Sequence, residues 1–91
     1  MATIWIAEDD PVLREVAKVT VESRGHRAEA MTTANLAQAA ADHDRPDLLL
    51  ADPVDIPQWT GRRLVLALKK PFAPLELLKQ IDARLAEDDR G

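Results

Sequence analysis

Cysteine is absent from these 91 residues, so neither a disulfide nor a thiolate metal site can form. A basic surplus is absent too. Lys and Arg number 12 against 16 Asp and Glu, giving a net charge of −4, and a sequence pI near 5.0. Proteins that bind nucleic acid through its backbone show the opposite balance, so no nucleic-acid partner is expected. No apolar run is long enough to span a membrane, and no signal-peptide pattern opens the chain. No membrane association is expected, and a cytoplasmic location is the default. Repeats and low-complexity segments are missing as well. What remains, 46% apolar and 31% charged residues, is the composition of one soluble globular domain over residues 1–91 with a limited core.

The chain is organised around Pro46-Asp47-Leu48-Leu49-Leu50-Ala51-Asp52. An apolar run without alternation reads as a strand buried on both faces, as in a parallel sheet covered by helices. Pro46 fits just before it, where no ladder hydrogen bond is lost. Ligands of such sheets gather beyond the carboxyl ends of the strands, which is where Asp52 sits. Alone, Asp52 would read as an ordinary turn residue. A second strand, Thr3-Ile4-Trp5-Ile6-Ala7, ends the same way, on Glu8-Asp9-Asp10. If the two strands are neighbours, Glu8, Asp9 and Asp52 share one sheet edge. Carboxylates so placed repel unless a cation lies among them, and partly hydrated oxygen ligands suit Mg²⁺.

Asp10 is a good N-cap and Pro11 suits the first position of a helix. Leu13, Val16, Ala17 and Thr20 form its expected buried stripe, widened by Val12 and Val19, and Gly25 closes it as a left-handed cap. Arg27 to Met31 reads as a short edge strand, interrupted by Arg27 and Glu29. Thr32 or Thr33 caps a second, alanine-rich helix carried by Leu36. His26 and His43 lack partners at ligand spacing and read as surface or loop residues. Residues 53–61 form a loop by their prolines and closing glycine. Trp59 within it reads equally as a cover for the core edge or an anchor for a partner. The segment 62–69 fits a helix by Leu64 and Leu68 and a strand by Leu64, Leu66 and Leu68. Pro74 opens a final helix with Leu75, Leu78, Ile81 and Leu85 on one stripe, widened by Leu77, and Glu87 to Gly91 read as a polar tail.

Taken together, Glu8-Asp9-Asp10-Pro11-x-x-Arg14, the Pro46-to-Asp52 strand, Gly61 and Lys70-Pro71-Phe72 resemble a response-regulator receiver domain of two-component signalling. The resemblance runs over nearly the whole chain. It implies an α/β, flavodoxin-like parallel sheet flanked by helices, here shortened to three or four strands. It further implies a phosphoryl group accepted on Asp52 from a histidine kinase or phosphotransfer protein. Mg²⁺ would lie at Glu8, Asp9, Asp52 and the Val54 carbonyl, with Lys70 contacting the phosphoryl group. A cis Lys70–Pro71 bond is implied as well. Beyond phosphorylation and dephosphorylation of Asp52, no enzymatic activity is expected, and with no output domain any output passes through a partner.

Three departures accompany the resemblance. The loop after Asp52 is one residue longer than in receivers. Ala67 stands three residues before Lys70, where receivers often carry an aromatic switch residue. The interval between Gly61 and Lys70 is too short for the usual helix, strand, helix and strand, so the hydroxyl residue ending the fourth strand has no counterpart. A second reading follows from these: a pseudo-receiver that keeps the fold as an interaction module and is not phosphorylated. An aspartate-based phosphatase fits poorly, because Asp52 and Asp55 are not two residues apart. Shortening would also leave one side of the third strand bare, an edge that residues 63–69 or a second chain could cover. Pairing across a two-fold axis avoids a short parallel crossover, so a homodimer is expected.

Overall fold

The computed structural model describes residues 2–42, 46–51, 65–67 and 73–90. The elements run β1 (Thr3–Ala7), α1 (Pro11–Ser23), β2 (Arg27–Met31), α2 (Thr33–Asp42), β3 (Leu48–Ala51), β4 (Val65–Ala67) and α3 (Pro74–Arg90). The four strands form one sheet in the order β2-β1-β3-β4, and every pairing is parallel.

β1 and β3 occupy the centre because both can be buried on two faces. Alternation along them separates two cores. Ile4, Ile6, Leu48 and Leu50 pack with Ala17 and Val21 of α1 and Leu77 and Ile81 of α3. Trp5, Ala7, Leu49 and Ala51 pack on the opposite face with Leu36 of α2. The sheet is therefore covered by α1 and α3 on one side and by α2 on the other, the doubly wound arrangement expected of the sequence. β2 lies at the sheet edge, as its charged residues predict. There the Trp5 indole N–H donates to Glu29 Oε2 at 2.8 Å.

Local signals set the helix ends. Asp10 Oδ1 accepts the amides of Val12 at 2.8 Å and Leu13 at 3.2 Å, and Pro11 opens α1. Gly25 follows the helix with φ +84°, a left-handed conformation that suits glycine. Thr32 directly precedes α2, its carbonyl accepting the Asn35 amide at 3.1 Å.

The buried stripe of α1 differs from the expected one. Ala17, Thr20 and Val21 are buried, whereas Val12, Val16 and Val19 are 69%, 38% and 55% exposed. At 3.6 residues per turn, Val12 and Val19 lie roughly a third of a turn or more from the face centred on Ala17. Thr20 satisfies its hydroxyl by donating to the Val16 carbonyl at 2.7 Å. In α3, Leu77, Leu78 and Ile81 are buried but Leu75 is 75% exposed, being rotated off the same face. The expected polar tail is instead the end of α3, which continues to Arg90. No glycine or proline interrupts residues 75–90.

The segment open between helix and strand resolves at Val65–Ala67 as β4, beside β3. This removes the bare third strand from which a homodimer is expected, since β3 pairs with β1 and β4 of its own chain. Thirteen residues, 52–64, connect β3 to β4. With Leu49 opposite Val65 and Ala51 opposite Ala67, the chain must step back only two residues along the strand and one strand spacing sideways. Parallel neighbours need about a dozen linking residues, so the connection suffices.

Candidate functional site

Parallel pairing brings the carboxyl ends of the strands level. Ala7 lies opposite Met31 and Ala51, and Ala51 lies opposite Ala67. These strand ends form one edge, the place where parallel α/β sheets bind ligands.

Glu8 follows β1 directly. Its amide donates to the Met31 carbonyl at 3.0 Å, extending the junction with β2. The side chain is buried, with the residue 2% exposed, and Oε2 accepts the Asp10 amide at 2.9 Å. A buried carboxylate is costly without compensation. Positive charge enters the loop with Arg14, whose Nη1 donates to the Glu8 carbonyl at 2.8 Å and the Asp9 carbonyl at 3.4 Å. Arg14 thereby fixes the backbone that carries both acids.

Asp9 is exposed and turned toward α2. Its Oδ1 accepts the Thr33 amide at 2.8 Å and the Thr33 hydroxyl at 3.0 Å. Oδ2 accepts the same hydroxyl at 2.9 Å. Three consecutive acids thus meet three environments: Glu8 is buried, Asp9 reaches the start of α2, and Asp10 caps α1. The cap role of Asp10 is legible in the sequence; the bond of Asp9 to Thr33 is not. Register supplies the missing signal, because Ala7 faces Met31 and each partner lies two residues beyond.

Of the expected site residues, Glu8 and Asp9 both follow β1 at this edge, while Asp52, Val54 and Lys70 lie outside the described residues. Trp59, His43 and the Lys70–Pro71 bond lie outside them too. β4 runs parallel to β3, so the strand preceding Lys70 heads toward the carboxyl edge. His26 belongs to the opposite edge, where Nδ1 accepts the Ala2 amide at 3.1 Å.

Among the described residues no group of three or more His, Cys, Asp or Glu side chains gathers to hold a metal ion. Glu8 and Asp9 nonetheless offer two carboxylates, one buried and one open to water. That donor set fits a hard cation that keeps part of its hydration, as Mg²⁺ does. No helix among the described residues is long and apolar enough to cross a membrane.

Solved structures resemble this fold. The chemotaxis response regulator CheY4 of Vibrio cholerae matches with a TM-score of 0.68 and 21% identity, over 92% of this chain and 98% of that one. A protein described as a transiently phosphorylated "switch" in bacterial signal transduction matches with a TM-score of 0.68 and 18% identity, over 94% and 95% of the two chains. No protein-family model and no curated protein matches the sequence. The fold is therefore a short receiver-like one, as the motifs imply.

Proposed function

We propose that the chain is a receiver module of a two-component phosphorelay, accepting a phosphoryl group on Asp52 from a phosphohistidine of a kinase or phosphotransfer protein. The observation that carries this reading is the placement of Glu8 and Asp9 directly beyond β1, level with the end of the neighbouring strand that leads into Asp52. In the transfer, a carboxylate oxygen of Asp52 bonds to phosphorus as the phosphorus–nitrogen bond of the donor breaks. Glu8, Asp9, Asp52 and the Val54 carbonyl are the groups assigned to Mg²⁺, which when bound neutralises charge on the transferring group. Arg14 holds the loop carbonyls so that Glu8 and Asp9 keep their positions, and Lys70 is assigned to the remaining phosphoryl charge.

Incubation with a small phosphodonor and Mg²⁺ tests the assignment. Intact mass should rise by one phosphoryl group in the wild type and not in Asp52→Asn. A mass unchanged in the wild type, with the fold intact, would discard phosphoacceptance.

One observation favours the alternative, an unphosphorylated pseudo-receiver acting as an interaction module: the carboxylate of Asp9 is already engaged by Thr33. The two readings part on Mg²⁺ binding, which a pseudo-receiver does not require.

A further inference from the structure

Thr33 makes three contacts with the Asp9 carboxylate, across 24 residues of sequence. We propose that Asp9 is a two-position carboxylate. In one position it clasps Thr33 at the first residue of α2; in the other it serves a cation at the sheet edge and lets α2 go. The inference rests on the Mg²⁺ site put forward above and deepens it by naming what the ion displaces.

A carboxylate offers about four lone-pair sites. Thr33 brings two donors to it, its amide on Oδ1 and its hydroxyl, whose single proton is shared between Oδ1 and Oδ2. Mg²⁺ demands near-octahedral geometry at about 2.0–2.1 Å and sets its own ligand angles. To serve such an ion the Asp9 carboxylate would have to turn out of its present orientation, and its bonds from Thr33 would lengthen. The backbone around Asp9 does not follow, because Arg14 Nη1 holds the carbonyls of residues 8 and 9. Movement is thus confined to the Asp9 side chain and its partner.

α1 is insulated from this exchange and α2 is not. α1 carries its own cap, Asp10, bonded within its first turn. At the start of α2 the capping carboxylate comes from another loop, and Leu36 is its buried core residue among the described side chains. Occupancy of the sheet edge is therefore read out at the first turn of α2, through Thr33. Linkage makes the effect reciprocal: whatever loosens the clasp strengthens cation binding by the same factor.

Two substitutions separate the contributions. Thr33→Val removes the hydroxyl and keeps the amide. Thr33→Pro removes both donors at the first helical position, where proline is well tolerated. The measurement is a Mg²⁺ titration of the isotope-labelled full chain, following amide shifts and hydrogen exchange.

In the wild type, Mg²⁺ should move the Thr33 amide resonance and speed exchange across residues 33–37 by about fivefold, the equilibrium equivalent of one ordinary N-cap. Amides of α1 should stay unmoved. Without Mg²⁺, both variants should already show faster exchange in that turn. They should bind Mg²⁺ more tightly, by up to about fivefold for Thr33→Pro. Equal Mg²⁺ affinity in all three proteins, with α2 exchange unchanged, would overturn the clasp and leave the metal site standing. Failure of all three to bind Mg²⁺ would remove the metal site and the exchange together. Thr33→Val, which keeps the amide donor, decides the matter if Thr33→Pro does not fold.

Discussion

Among the described side chains, the two faces of the sheet show different contacts. On one, α1 and α3 press Ala17, Val21, Leu77 and Ile81 onto Ile4, Ile6, Leu48 and Leu50. On the other, the described side chains that meet Trp5, Ala7, Leu49 and Ala51 are Leu36 and the half-buried Met31. Polar contacts supplement that face: Trp5 of the central β1 to Glu29 of the edge strand β2, and Asp9 to Thr33 at the start of α2. Apolar burial is non-directional and resists small displacements only through packing loss. A polar clasp depends on alignment and can be exchanged for another partner. Among the described contacts, one face shows apolar burial and the other adds polar bonds that can change partner.

The sharpest way to break this contrast is to damage both faces equally and compare the outcome. Ile81→Ala removes a fully buried side chain between α3 and the sheet. It should cost about 2–5 kcal/mol in urea unfolding, a large share of what a small domain has. Loss below 1 kcal/mol would mean that α3 is not a structural wall. Leu36→Ala should cost less, about 2 kcal/mol, at the lower end for such truncations. Its distinguishing mark is local: faster hydrogen exchange in α2 with α1 and α3 protected as before. Equal loss of protection in all three helices would make the two faces one cooperative unit.

The smallest effect belongs to the pair Arg24 and Asp82, which joins α1 to α3 at 3.5 Å with side chains 47% and 49% exposed. A double-mutant cycle should return about 0.5 kcal/mol or less, because water screens such pairs. A coupling several times larger would give the apolar face an electrostatic component it is not credited with.

Legibility in the sequence follows the range of the interaction. Thr3–Ala7 and Leu48–Ala51 are plain because a continuous apolar run admits few placements, and Asp10, Pro11 and Gly25 act within one turn of themselves. The face of α1 is less plain. Val12, Val16 and Val19 are as apolar as the buried Ala17 and Val21, so periodicity offered two overlapping stripes. Residues 62–69 satisfy helix and strand patterns at once, and pairing with β3 decides the matter for Val65–Ala67. The link from Asp9 to Thr33 needed the register of β1 against β2. Asp52, Val54 and Lys70 are named by motif order through the resemblance to receivers, a signal that carries no strand register.

The order in which strands find their partners carries a consequence for how the chain is made. Thr3 pairs with Arg27, Ile4 with Leu48 and Leu49 with Val65, partners 24, 44 and 16 positions away. None of these closures is local, which places the domain among the slower folders of its size. Loop entropy discriminates weakly among them, since each doubling of length costs about 0.6 kcal/mol. Synthesis discriminates strongly. β1 emerges first yet lies between β2 and β3, so one of its edges waits for residues 48–51. Until those residues leave the ribosome, Ile4, Trp5 and Ile6 belong to a strand with an open side, the condition under which association between nascent chains competes with folding.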